Sequence, residues 1–136
     1  MSHPNRSRVY SGGPWERVVG YSRATRVGDQ IFVSGSTAMK DGQLVGKDDP
    51  AAQARQTLET IESALIASGS SLGDVVRYRI YLTRIQDWEA VAPVFAEAFG
   101  DVHPAGTLVA VAALIHPDLL IEVEVDAIAG SAGPVD

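Results

Sequence analysis

The chain of 136 residues has no cysteine. Its apolar runs are all much shorter than the roughly 20 residues that a membrane span requires. Without cysteine, thiol nucleophiles, thiolate metal ligands and disulfides are excluded, and the composition fits a reducing cytoplasm. The first residues also lack the apolar core of a secretory signal. We therefore expect a cytoplasmic protein with no membrane partner.

Basic residues are scarce and unevenly placed. The formal net charge is −6; residues 85–136 hold nine acids and no Lys or Arg, whereas residues 1–28 hold five arginines and one acid, Glu16. Nucleic-acid binding depends on clustered basic residues, so the charge argues against a nucleic-acid partner. The opposite charges at the two ends predict that these ends compensate each other in the folded or assembled protein.

The remaining composition is that of one compact domain. Hydrophobic residues make up 46% of the chain and charged residues 21%, and the length is that of a single domain. We expect a flexible N-terminal arm over residues 1–14, a single domain over 15–130 and a disordered tail over 131–136.

Hydrophobic periodicity predicts an α+β fold, with a mixed sheet of about six strands and two helices on one face. A first helix should begin at Pro50 behind Asp48 or Asp49, and a second should run from about 87, capped by Asp87, to 99. Pro93 should bend the second helix or delay its start, because an interior proline costs about 3 kcal/mol. Strands are predicted at 17–27, 30–35, 75–83, 107–114 and 120–129, with a hairpin at 40–43.

The last strand places Glu122, Glu124 and Asp126 on one face of the sheet. Alternate residues on a strand are about 7 Å apart, so the outer two carboxylates are too distant to share one metal ion. The histidines also lack the spacing of metal ligands, and we expect neither a metal nor a cofactor. Pairing with Arg77 and Arg79 on a neighbouring strand is an alternative explanation for these acids.

Five segments, in order along the chain, resemble the Rid family (YjgF-type, reactive intermediate deaminases). They are 21–29, 31–35, 52–58, 69–76 and the closing stretch 103–129, which contains His103-Pro-Ala-Gly-Thr107. The resemblance implies a chorismate-mutase-like α+β fold and a homotrimer around a sheet-lined barrel, with clefts at the subunit interfaces.

The resemblance also implies a small-molecule site and a role for one carboxylate in it. Glu124 is the candidate catalytic residue, which would position a water molecule or move a proton. The length of the preceding loop leaves open whether Glu122 or Glu124 faces the cleft. The residues implied to line each cleft are Tyr21, Ser34, Gly35, Gly106, Thr107 and Glu124.

Gly106 stands where the active relatives implied by this resemblance have an arginine that grips the substrate carboxylate. We expect Gly106 to leave room in the cleft, with Arg17, Arg23 or Arg26 restoring part of the positive charge, and the ligand to be neutral or weakly anionic. Three functions stay open: an imine or enamine hydrolase with altered or weak activity, a non-catalytic trimeric metabolite-binding or regulatory module, and an endoribonuclease. The composition disfavours the last.

Overall fold

A six-stranded mixed sheet carries two α-helices on one face in the computed structural model, which describes residues 5–133. The strands are β1 (Arg6–Val9), β2 (Ala24–Val27), β3 (Gln30–Ser36), β4 (Met39–Lys40), β5 (Gln43–Leu44), β6 (Val75–Leu82), β7 (Ala105–Ala110) and β8 (Ile121–Ile128). The helices are α1 (Pro50–Ala67) and α2 (Trp88–Phe99). The predicted α+β class, with about six strands in the sheet and two helices, is confirmed.

The strand order is β1-β2-β3-β8-β6-β7, with β4 and β5 forming a separate hairpin. Only the β6–β7 pair is parallel among the described strands. The central position of β8 explains its strict alternation, because one face packs under the helices while the other stays open. No helix within residues 5–133 is both long and apolar enough to cross a bilayer.

The core lies between β8 and α1, and both follow the predicted periodicity. The Asp49 side chain accepts a hydrogen bond from the Ala52 backbone N–H at 3.1 Å, and Pro50 occupies the first turn, so the predicted start of α1 is confirmed. The buried residues of these two elements include Ala54, Leu58, Ile61, Leu65, Ile121, Val123, Val125 and Ala127.

A bulge interrupts the alternation of β6 near its start. The register against β8 shifts between Val75 and Arg77. Because a bulge inserts one extra residue on one strand, Val75 takes the inward position and Val76 is left 38% exposed.

Helix α2 tolerates its internal proline. A short 3-10 turn, Ile85–Asp87, leads directly into the helix, and the helix continues through Pro93 to Phe99. Pro93 lies on the exposed side of the helix, and it does not delay the helix start. The Asp87 side chain makes no capping hydrogen bond, so the prediction that it caps the helix is wrong.

The N-terminal region departs most from the sequence prediction. Residues 17–27 were predicted as one strand, but Glu16–Gly20 form a π-helical turn and only Ala24–Val27 is extended. The buried carboxylate of Glu16 lies at the start of this turn, where it accepts hydrogen bonds from the backbone and the hydroxyl of Ser11 and lies 3.6 Å from the Arg23 guanidinium. Such a tertiary contact leaves no periodic signal in the sequence.

The structure describes parts of the two segments predicted to be a flexible arm and a disordered tail. Residues 6–9 of the predicted arm form β1, which pairs with β2. At the other end, the backbone N–H of Ala132 donates to the Asp74 carboxylate at 3.0 Å. Residues 1–4 and 134–136 lie outside the described chain.

Candidate functional site

Glu124 lies on the open face of the sheet, where β6 holds its carboxylate in place. The Tyr81 hydroxyl donates a hydrogen bond to Glu124 Oε1. Arg79 Nη1 lies 3.9 Å from the same oxygen and 3.5 Å from Asp126 Oδ2. Pairing of these acids with β6 arginines is thus confirmed for Arg79, whereas Arg77 makes no ion pair with another residue of the described chain.

Tyr81 remains a hydrogen-bond donor over a wide pH range. Its hydrogen bond to Glu124 raises the pKa of the Tyr81 phenol, and burial raises this pKa further. The neutral phenol therefore fixes the orientation of the Glu124 carboxylate without adding charge to the site.

Glu122 occupies the preceding position on the same face but has a different environment. Its carboxylate lies against Gly35 of β3, in the space that a side chain at that position would fill. It makes no hydrogen bond or ion pair with the rest of residues 5–133. Burial and then the neighbouring Glu124 charge raise the pKa of Glu122, more than the Arg23 charge lowers it. Glu122 therefore holds a proton more readily than an ordinary glutamate.

A cavity of about 600 Å³ brings these two acids together. Both carboxylates line this cavity. The lining contains two carboxylates, a phenol and an apolar wall, but neither Lys nor Arg among the described residues. Its members are Gly35, Tyr81, Val111, Ala113, Leu114, Ile115, Glu122 and Glu124. Such a site can move protons on a small, uncharged ligand.

A second cavity, of about 930 Å³, contains two other residues of the predicted cleft. Tyr21 and Ser34 line it together with Arg8 and Arg17. The Ser34 hydroxyl donates to the Ser22 carbonyl at 2.7 Å, so this side chain fixes the path of the chain beside the cavity. Ser34 and Gly35, which are adjacent on β3, thus line two separate cavities of the chain.

Arg23 is buried, 9% exposed, and its contacts lie within the chain. Its Nη1 donates to the Gly35 carbonyl at 2.6 Å and to Ser36 Oγ at 3.1 Å, and its guanidinium lies 5.5 Å from the centroid of the Tyr21 ring. With Glu16 it forms the ion pair described above. Arg23 therefore shapes β3 instead of presenting a free charge to a ligand.

Arg26 is also unavailable to a ligand. It donates to the carbonyls of Gly28 and Ser68, both at 2.8 Å, and pairs with Asp29 at 3.3 Å. Both side chains are thus bound within the chain, although the Arg23 charge still acts on Glu122, whose pKa it lowers. Arg17 alone of the three proposed arginines lines a cavity, the one that contains Tyr21.

Gly106 and Thr107 lie on β7, at the edge of the sheet, and line neither cavity. Thr107 is in register with Arg79, and Gly106 is in register with Tyr78. A Cβ on Gly106 would lie 2.6 Å from Cε1 of Tyr78, whose ring is stacked on Phe99 with centroids 5.4 Å apart. Tyr78 fills the space above Gly106, so the expectation that this glycine leaves room is wrong.

Sequence reasoning named Glu122 as the alternative to Glu124 but missed other residues of the site. Tyr81 carried a usable signal, because alternation along its strand puts it on the same face as Arg79. The apolar wall at 111–115 carried none: residues 111–114 were predicted as the end of a strand, but β7 ends at Ala110 and they form a loop. Within residues 5–133, no three carboxylate or histidine side chains lie close enough to hold a metal ion.

Comparisons with known proteins show extensive similarity along the chain. The model of a family described as Endoribonuclease L-PSP matches residues 15–129. A crystal structure from Mycobacterium tuberculosis, of a member of the YjgF/YER057c/UK114 family, superposes with a TM-score of 0.83 at 47% identity. The match covers 91% of this chain and 99% of that one.

Two relatives extend the comparison to other bacteria. An uncharacterized protein of Streptomyces coelicolor is 37% identical over 124 residues, covering 91% of this chain and 92% of the relative. The 3-aminoacrylate deaminase RutC of Acinetobacter baylyi is 38% identical over 104 residues, covering 76% and 82%. A deaminase thus occurs among the proteins similar to this chain.

Proposed function

The chain belongs to the Endoribonuclease L-PSP family, which includes the YjgF/Rid proteins, and we propose that it is a deaminase-like hydrolase of small imines or enamines. The observation that carries the proposal is the Glu124 carboxylate, oriented by Tyr81 at the wall of a cavity of about 600 Å³. The deaminase among its relatives supports a deaminase-like role at the level of the family.

In the proposed reaction, water replaces the nitrogen of the substrate. Glu124 accepts a proton from a water molecule that attacks the C=N carbon, and the resulting carbinolamine loses ammonia to give a carbonyl product. Tyr81 and Arg79 keep the carboxylate in position, since both contact the same oxygen. The net reaction is imine plus water to carbonyl compound plus ammonia.

We propose that the substrate is neutral and lacks a carboxylate. The described lining of the cavity holds two acids and no basic residue, which disfavours an anion. No arginine side chain can project from position 106 past Tyr78 without displacing that ring. A charge-assisted bidentate contact is worth about 1.5–3 kcal/mol, so 2-iminopropanoate-type substrates should be hydrolysed weakly or not at all.

We further propose that the protein works as a homotrimer in the cytoplasm. The open sheet face holds partly exposed charges, β7 has no further strand on its outer side within residues 5–133, and Val18 is 74% exposed. The residues implied for one cleft are divided between two cavities and an edge strand. Contacts between subunits are the means by which such divided surfaces join and become covered.

An assay of ammonia release tests the function. The purified protein should release ammonia from imines that lack a carboxylate, and Glu124→Gln should lose at least about 100-fold in kcat, the usual scale of general-base catalysis. Glu97→Gln is the matched control, because Glu97 is an exposed acid on α2. Saturable ligand binding without turnover would favour the metabolite-binding module instead, and cleavage of RNA would favour the endoribonuclease.

A further inference from the structure

Glu122 shares the cavity with Glu124, yet the reaction described so far gives it no task. The two glutamates occupy alternate positions of β8 on the same face, so their Cα atoms are about 7 Å apart. That spacing suits one small substrate placed between two carboxylates. In this arrangement the nitrogen of a C=N group lies next to one carboxylate. The attacking water lies next to the other.

We propose that Glu122 is the proton donor to the substrate nitrogen, and that Glu122 and Glu124 divide the acid and base roles of the reaction. The assignment rests on the proposed function and deepens it. It also names the substrate class more closely: an uncharged imine, whose nitrogen must gain a proton before water can add to the neighbouring carbon.

The contacts of the two carboxylates support this division. Glu124 has a donor and a cation beside it, Tyr81 and Arg79, both of which stabilise an anion. Glu122 has neither a hydrogen bond nor an ion pair in residues 5–133 and lies against the bare backbone of Gly35. Two acids in one site with opposite environments take opposite proton-transfer roles.

The charged groups around Glu122 act in the same direction on balance. Glu124 lies on the same strand, β8. Tyr81 and Arg79 lie on the adjacent strand β6, and Arg23 lies just before β2. Burial and the Glu124 charge raise the pKa of Glu122 despite Arg23, whose guanidinium is engaged by Glu16 and the β3 backbone. Glu122 therefore holds a proton more readily than an ordinary glutamate.

The proton transfers balance over one turnover. Protonated Glu122 gives its proton to the imine nitrogen, and water adds to the carbon as Glu124 takes a proton from that water. Glu124 then passes this proton to the nitrogen of the carbinolamine. As the C–N bond breaks and ammonia leaves, the hydroxyl proton returns to Glu122. Both carboxyl groups end in their starting states, with imine and water converted to carbonyl compound and ammonia.

Gly35 provides a way to move Glu122 without changing its charge. A Cβ at this position would occupy the place of the Glu122 carboxylate, and its three nearest neighbours would all be atoms of the Glu122 side chain. The φ angle of Gly35 is not in the left-handed region, so alanine is acceptable to the backbone there. Gly35→Ala should displace the acid from the cavity while leaving the fold intact.

The experiment measures kcat for ammonia release as a function of pH with two substrates. One is a neutral imine without a carboxylate, and the other is an N,N-dialkyl iminium salt, which is already cationic and needs no proton donor. Wild type, Glu122→Gln, Gly35→Ala and the control Glu97→Gln are compared, with far-UV circular dichroism to confirm folding. For the second substrate, the released dialkylamine is measured instead of ammonia.

With the neutral imine, wild type should lose rate as pH rises and Glu122 deprotonates. Glu122→Gln and Gly35→Ala should lose roughly 100-fold in kcat near neutral pH, and Glu122→Gln should no longer show the alkaline decline. With the iminium salt, both variants should stay within a few-fold of wild type. Glu97→Gln should match wild type with both substrates.

An unchanged pH profile in Glu122→Gln, or equal losses with both substrates, would overturn the donor role while leaving the proposed hydrolase in place. Absence of turnover in wild type itself would overturn the proposed function and this assignment with it. The wild-type measurement thus separates the two failures.

Discussion

The two faces of β8 have different roles: one packs in the core and the other lines a cavity. The face toward the helices carries Ile121, Val123 and Val125, each fully buried, and its side chains only fill space. The open face carries Glu122 and Glu124, both partly exposed, and its side chains line a cavity. A single strand therefore serves stability on one side and chemistry on the other, because alternate residues are physically separated by the sheet.

The largest expected effect tests the buried face. Ile121→Ala should lower the free energy of unfolding by about 2–5 kcal/mol, since it removes a fully buried side chain and leaves a cavity. Asp126→Ala, on the open face of the same strand, should cost no more than about 1 kcal/mol, as expected for a partly exposed ion pair. Urea denaturation of both variants measures the difference. Equal losses would show that the open face is as structural as the covered one.

The covered elements were predicted well because one local rule determines them. The stripe of α1 and the alternation of β8 need only a period and an apolar partner, so their limits agree with the sequence to within a residue or two. The strand prediction for the segment before β2 was wrong because Glu16 and Arg23 form a buried ion pair that bends the chain. Val19 and Tyr21 imitate a strand there, although Val19 is largely exposed.

The candidate site was predictable only in part, for a related reason. Alternation and the family resemblance together indicated Glu124, and alternation alone placed Tyr81 beside it. The location of Gly106 near the start of a strand was also predictable, but the space available to a side chain at that position was not. Only the structure shows that the Tyr78 ring occupies the adjacent space, since this packing depends on α2 and on the β6–β7 register.

Gly106→Arg should sharpen the same comparison at β7. The new side chain must displace Tyr78, so the free energy of unfolding should fall by about 1–3 kcal/mol, the usual cost of overpacking. The double variant Gly106→Arg/Tyr78→Ser removes the obstructing ring and should lose less than the sum of the two single variants. A double-mutant cycle from denaturation data gives the coupling. Strictly additive effects would show that Tyr78 does not restrict position 106.

Asp74 provides a comparison with Glu122, because it is a buried acid whose hydrogen bonds lower its pKa more than burial raises it. The Ser70 hydroxyl donates to it at 2.7 Å and lowers the pKa of the Asp74 carboxyl, burial opposes this, and the backbone N–H groups of Gly130 and Ala132 lower the pKa further. Asp74→Asn should cost about 1–3 kcal/mol at pH 7.

The pH dependence of that loss has a definite sign. Because the folded pKa of Asp74 lies below its unfolded value of about 3.9, its stabilisation is complete above that pH and is lost as pH falls through the folded pKa. Wild type and Asp74→Asn should therefore converge in acid. Denaturation curves at pH 7 and below pH 3.9 check this, and a difference that persists undiminished in acid would contradict it.

The smallest effect should come from Glu122→Gln, and its sign should be opposite. Burial and Glu124 raise the folded pKa of Glu122 above its unfolded value of about 4.3, so its contribution to stability is complete below that pH and is lost as pH rises through the folded pKa. Glutamine cannot ionise, and the variant should melt at the same temperature as wild type near pH 4 but slightly higher at pH 8. Differential scanning calorimetry at both pH values measures this. A gain in stability at pH 8, combined with the loss of activity proposed above, would identify Glu122 as an acid retained for chemistry. A loss of stability at pH 8 would instead indicate that the ionised carboxylate has a stabilising partner in the assembled protein.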